Sequence, residues 1–202
     1  MKTNIFEGRN FEEAKEKALQ ELNINENDLI IKLKSQKQGL LKKNVIIEVI
    51  NINDVTNYLK ETIKEITSLM NIKVNLEIKR TNNVLAITIF SDNNSILIGK
   101  NGTTIQSLQN IIRQMLPTEV NEKYKIVLDV ENYKEKKLEN LKQTAKIIAK
   151  QVASTKVEAK LDAMNSYERR EIHNLLSNNK KVYTESLGEE PNRYIIIKPK
   201  ED

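Results

Sequence analysis

The sequence predicts an α+β fold built from three small domains in series. Three observations lead there. The hydrophobic period switches repeatedly between that of a helix and that of a strand. Each third of the 202 residues holds its own set of helices and strands. A chain of this length suits one large domain or two to three small ones. The expected units are residues 1–51 with order βαββ, residues 52–132 with order αββααβ, and residues 133–202, an α/β unit led by a long helix. No internal repeat or low-complexity linker parts them, so the units are expected to work together.

The first unit opens with a strand. A helix follows Asn10, a good N-cap, and Glu13 three residues on suggests a capping box. Phe11, Ala14, Ala18 and Leu22 recur at helical spacing as its buried face. Asn23–Asp28 reads as a turn. Leu29–Ser35 alternates, with Ile31 and Leu33 against Lys32 and Lys34, as a half-buried strand does. Gly39 breaks it, and Val45–Ile50 completes a hairpin.

In the second unit Asp54 is expected to cap a helix ending near Met70, with Val55, Tyr58, Leu59, Ile63, Ile66 and Met70 on one face. Val74–Lys79 and Val84–Phe90 are strands. Asn94–Ile98 is a short helix, and Thr103–Leu116 a longer one with Ile105, Leu108, Ile112 and Met115 inward, ended by Pro117. Tyr124–Val130 is the last strand. The third unit begins with a helix from Tyr133 to about Ser154, roughly 30 Å long at 1.5 Å per residue. Then come a strand at Val157–Leu161, a helix capped by Asn165 or Ser166, and strands at Val182–Ser186 and Arg193–Lys198.

Composition narrows the function. Hydrophobic residues make up 39%, enough for a packed core, and aromatics only 4%, so Ile, Leu and Val must build it. There is no cysteine, which excludes disulfides and thiolate metal sites and suits a reducing, cytoplasmic setting. The single histidine, His173, excludes a multi-histidine metal site, and no metal or other cofactor is expected. No apolar run approaches the ~20 residues that span a bilayer, so no integral membrane segment is expected. Nor does the start of the chain carry the apolar stretch of a signal peptide.

The net charge of +5 is unevenly spread. Basic and acidic side chains number nine and eight in residues 1–51, nine and nine in 52–133, and fifteen and eleven in 134–202. A basic surface for an anionic partner therefore belongs to the last third.

Ile98-Gly99-Lys100-Asn101-Gly102 lies between two expected helices. Two glycines three apart let the chain turn sharply and approach another backbone. The amides that follow open a helix and favour an anion, with Lys100 adding charge and Asn101 donors. A Gly-x-x-Gly between helices is in most chains only a turn. Here the order α-β-β, then Gly-x-x-Gly between helices, then β, resembles a KH domain of the bacterial type. That resemblance implies that Gly99, Lys100, Asn101 and Gly102 clamp the backbone of single-stranded nucleotides. It also implies that Ile98, with Ile105 and Ile112, walls a groove for the bases, although the three are equally well explained as core residues. The unit carries no net charge, so alone it is expected to bind weakly.

His173 sits four residues after Arg169 on one helix, so the two share a face. Each can donate to a phosphate or a base edge. Arg-x-x-x-His on a helix, followed by strands with Thr184-Glu185-Ser186 and Glu189-Glu190-Pro191-Asn192-Arg193, resembles the R-3-H domain, which binds single-stranded nucleic acid. The resemblance makes Arg169 and His173 the signature residues and Arg170 and Arg193 helpers, with Glu168 and Glu171 as solvated neighbours. On the preceding helix Lys142, Lys146 and Lys150 recur every four residues and form a stripe suited to phosphate, though such a stripe is as often an ordinary solvated face.

The three units in this order and length resemble the Jag (SpoIIIJ-associated) family, also called KhpB or EloR. Membership implies an RNA-binding regulator in the cytoplasm of Gram-positive bacteria, linked to cell elongation and division. It also implies a small KH-only protein as a partner and leaves a homodimer open. Family members carry two glycines around an apolar pair in the first unit, whereas Lys37-Gln38-Gly39-Leu40-Leu41-Lys42-Lys43 has one glycine, which leaves that loop to serve protein partners instead. The competing class is a protein-interaction scaffold with little RNA binding. An enzyme is not expected: His173 with Glu168 or Glu171 makes a weak acid/base pair, and no carboxylate cluster for two-metal catalysis is visible.

Overall fold

The computed structural model describes residues 1–38 and 43–200. Gly39, Leu40, Leu41 and Lys42, the centre of the single-glycine loop, lie outside the described residues. The chain forms two compact units, Met1–Glu131 and Asn132–Asp202.

The first unit begins with β1 (Thr3–Gly8), α1 (Phe11–Leu22), β2 (Leu29–Gln38) and β3 (Lys43–Asn51). Its sheet has the order β1-β3-β2, antiparallel throughout. Asn10 caps α1 by accepting from the Glu13 amide at 2.8 Å. Glu13 does not complete a capping box, because its carboxylate accepts instead from the Arg9 amide. Ala14 and Ala18 are fully buried, but Phe11 is exposed: it opens the helix, where no neighbouring turn covers it. The expected alternation along β2 also fails. Leu29 and Ile30 are both buried, on opposite faces, because the strand packs on α1 at one side and on a second core at the other. Leu33 is exposed just before a register shift between Leu33 and Ser35.

That second core belongs to α2 (Ile52–Leu69), β4 (Val74–Thr81), β5 (Val84–Ser91), α3 (Asn94–Ile98), α4 (Thr103–Met115), α5 (Thr118–Lys123) and β6 (Lys125–Val130). The sheet order is β4-β5-β6, with β5 and β6 parallel. Asn51, not Asp54, caps α2, accepting from the Asn53 amide. Leu59, Ile63, Leu85, Ile87, Ile112, Ile126 and Leu128 are almost wholly buried, each contributing about 1.5–3 kcal/mol. Ile30 and Ile50 of the first sheet join this same core. Polar contacts reinforce the junction. Lys123 Nζ donates to the Leu29 and Asn27 carbonyls, Tyr124 donates its hydroxyl to Asn27, Arg80 pairs with Asp28, and Lys32 pairs with Glu119. Burial pushes the Lys123 ammonium down from its ordinary value.

The second unit contains α6 (Tyr133–Thr155), β7 (Ala159–Lys160), α7 (Ser166–Leu176), β8 (Val182–Leu187) and β9 (Tyr194–Pro199). Its sheet has the order β7-β9-β8. Both helices pack on it around Ala145, Ala149, Val152, Ile172, Leu176, Val182, Ile195 and Ile197. No helix among the described residues is long and apolar enough to cross a membrane.

Candidate nucleic-acid interface

In the first unit, α3 ends where the Gly99 amide donates to Ser95. Gly99 then takes φ +70°, a region that L side chains rarely adopt. A Cβ there would clash with the Thr104 side chain, so any substitution at this position is strained both by its φ and by its neighbour. One 3-10 turn, Lys100–Gly102, follows, with Asn101 at φ 55° and Gly102 at φ 88°. Three residues in four are thus held at positive φ, which projects the exposed Lys100 and Asn101 outward. No side chain caps α4; within the loop itself the Gly102 amide donates to the Gly99 carbonyl and the Thr103 amide to the Lys100 carbonyl.

The residues expected beside the loop separate. Ile98 is half-buried against the core, whereas Ile105 and Ile112 are buried within it and serve packing. Met115, expected inward, is exposed; Leu116 takes its place because the chain leaves the helix there. Sequence reasoning misses two features. Thr104 packs against Gly99, in the space a side chain there would need. Gln109 accepts from the Leu128 amide at 3.0 Å on the outer edge of β6. Its signal is a half-buried polar residue four positions after Ile105, on the inward arc of the helix.

In the second unit, Asn165 and Glu168 form a complete capping box at the start of α7. Glu168 is buried and also holds Lys137, so it is not a solvated neighbour. Arg169 too lies mostly inside. Its guanidinium donates to the Met164 carbonyl and to Glu190, each at 2.6 Å, with 10% of the side chain exposed. Arg170, His173 and Arg193 are exposed and, with Arg169 at the back and Thr184 and Ser186 on β8, line a cleft of about 260 Å³. His173 Nδ1 lies 2.7 Å from the Thr184 hydroxyl, and Arg193 Nε donates to Ser186 at 3.1 Å. The cleft therefore presents three cationic or donor side chains, two of them oriented by strand hydroxyls.

The lysine stripe divides. Lys142 pairs with Glu171 at 2.8 Å, and that hydrogen bond raises the lysine above its ordinary value. Lys146 and Lys150 are exposed further along α6. No group of histidine and carboxylate side chains able to hold a metal gathers among the described residues.

Residues 6–50 match the Jag N-terminus, residues 56–128 the KH domain of KhpA/KhpB, and residues 139–199 the R-3-H domain. The RNA-binding protein KhpB of Clostridium symbiosum is 34% identical over 197 residues, covering 95% of this chain and 89% of the relative. The protein of the same name from Bacillus subtilis is 30% identical over 200 residues, covering 96% of each. The chain belongs to the KhpB family. The Gly99–Gly102 loop lies within the residues that match the KH domain of KhpA/KhpB, and the Arg169–His173 helix within those that match the R-3-H domain.

Proposed function

We propose that the chain is a non-enzymatic, cytoplasmic binder of single-stranded RNA that acts as a post-transcriptional regulator linked to cell elongation and division. The observation that carries this is the Gly99–Gly102 loop, where three residues in four take positive φ and the exposed Lys100 and Asn101 stand side by side just before α4. The loop positions the strand by its backbone. The cleft of Arg170, His173 and Arg193 takes a second stretch, with Arg169 as its rigid back wall. Two modest sites joined in one chain raise each other's effective concentration, so their joint affinity exceeds either alone by orders of magnitude.

RNA binding by wild type, Lys100→Asp/Asn101→Asp, Arg170→Ala/His173→Ala and the combined variant tests this. Each pair is expected to weaken binding at least tenfold, and the combination further. Equal binding by all four would end the reading. A protein partner is part of the same proposal: Ile111 and Met115, one turn apart and exposed on α4, offer an apolar stripe to a small KH-only protein or a second copy.

A further inference from the structure

Beyond the Arg/His cleft, the second unit holds another concavity. A groove of about 450 Å³ runs between α6 and the end of α7. Ala153, Leu175 and Leu176 contribute apolar surface, and Lys146, Lys150 and Lys181 surround it. Among the described residues no carboxylate lines it. The groove differs from the Arg/His cleft in position as well as lining. At about 100° per residue, Leu175 projects from α7 roughly 200° from His173, so the two sites open on opposite sides of the helix.

The arrangement is fixed by the surrounding structure. Lys142, first of the α6 row, is taken by Glu171, but the next two lysines of the row reach the groove. They stand one turn apart, about 6 Å, the scale of one phosphodiester step. Lys181 comes from the turn after α7, where Asn179 Oδ1 accepts from the Lys181 and Val182 amides and Lys200 donates to the Asn179 carbonyl. The third cation is therefore set by a braced turn.

We propose that this groove seats a short stretch of the bound RNA strand, successive phosphates on Lys146, Lys150 and Lys181 and a base or ribose on Leu175 and Ala153. The site has both parts that single-strand binding needs, a cationic border and an apolar surface for a base. A purely phosphate-binding face would need no apolar floor, and a buried apolar ligand would not draw three cations. The inference rests on the RNA-binding reading above and adds a further contact with the strand, on the opposite side of α7 from the Arg/His cleft.

The test uses the full chain and labelled oligouridine. Lys146→Ala/Lys150→Ala/Lys181→Ala is expected to weaken binding about tenfold and to flatten the slope of log K against log salt by about 2, the loss of three single-strand phosphate contacts. Lys60→Ala/Lys64→Ala/Lys136→Ala removes the same charge from exposed positions elsewhere and should leave that slope within a few tenths of wild type. Ala153→Met fills the floor without changing charge and is expected to weaken binding several-fold at an unaltered slope. Equal behaviour of the two triple variants, with wild type binding normally, overturns the groove and leaves the loop and cleft standing. Absence of binding by wild type overturns both. Uridine monophosphate that displaces the strand from wild type but not from the groove variant assigns the seat to a free nucleotide, and overturns the strand assignment.

Discussion

Arg169 and His173 lie one turn apart on α7, yet their surroundings divide their work. His173 is exposed, with its Nδ1 on the Thr184 hydroxyl. Arg169 ties the start of its own helix to the loop before β9 through Met164 and Glu190. Glu190 is 59% exposed, so the ion pair itself is screened and the buried bond to Met164 dominates. Arg169→Ala is expected to destabilise the second unit by about 2 kcal/mol, the scale of a charge-assisted hydrogen bond. His173→Ala should stay within about 0.5 kcal/mol of wild type while losing RNA affinity. Denaturant unfolding beside RNA binding separates the two; unchanged stability in Arg169→Ala together with lost binding would make Arg169 a contact residue. Residue spacing reveals that the pair shares a face, but not which member is buried. That depends on Glu190, which lies 21 residues away and carries no periodic signal.

The elements show the same limit. α3, α4 and α7 are legible because their apolar periods and boundary residues are local. α5 is not: Thr118–Lys123 is only six residues, with the single buried residue Val120. Its end nevertheless supplies Lys123, which locks β2 to the KH domain. Leu29-Ile30-Ile31 is a continuous apolar run, the mark of a strand covered on both faces, but the lysines that follow it give the whole segment the look of alternation. Burial holds the Lys123 ammonium below its ordinary 10.5, with the Arg80 charge adding to the effect. The unfolded chain therefore binds more protons at this site, and stability rises as pH climbs from the folded value toward 10.5. The neutral amine still donates to Leu29. Lys123→Met removes both effects. It is expected to destabilise the first unit by about 1–3 kcal/mol near neutral pH through its stranded carbonyls. Its unfolding midpoint, followed upward in pH, should fall further behind wild type, whereas parallel profiles would show that Lys123 carries no burial penalty. Tyr124, raised above 10.0 by burial, is common to both chains and cancels in the comparison.

Across the whole molecule, charge and grip are placed in different units. The Gly-x-x-Gly loop sits in a stretch with no net charge, while residues 134–202 carry an excess of four cations. Attraction at long range falls off within a Debye length of about 8 Å at physiological salt, so the basic unit can raise the loop's occupancy only by holding the same strand close to it. The division between the two units falls at Glu131–Asn132. Lengthening the chain there dilutes the second site around the first, with effective concentration falling roughly as the three-halves power of linker length. A flexible Gly/Ser segment inserted between Glu131 and Asn132 is expected to weaken binding of a long oligouridine about tenfold. An oligonucleotide too short to reach both units should bind the two chains alike, since neither site is altered. If the insertion leaves long-strand affinity and its salt slope unchanged, the units hold separate strands. The neutral KH domain must then draw on contacts other than the second unit's cations.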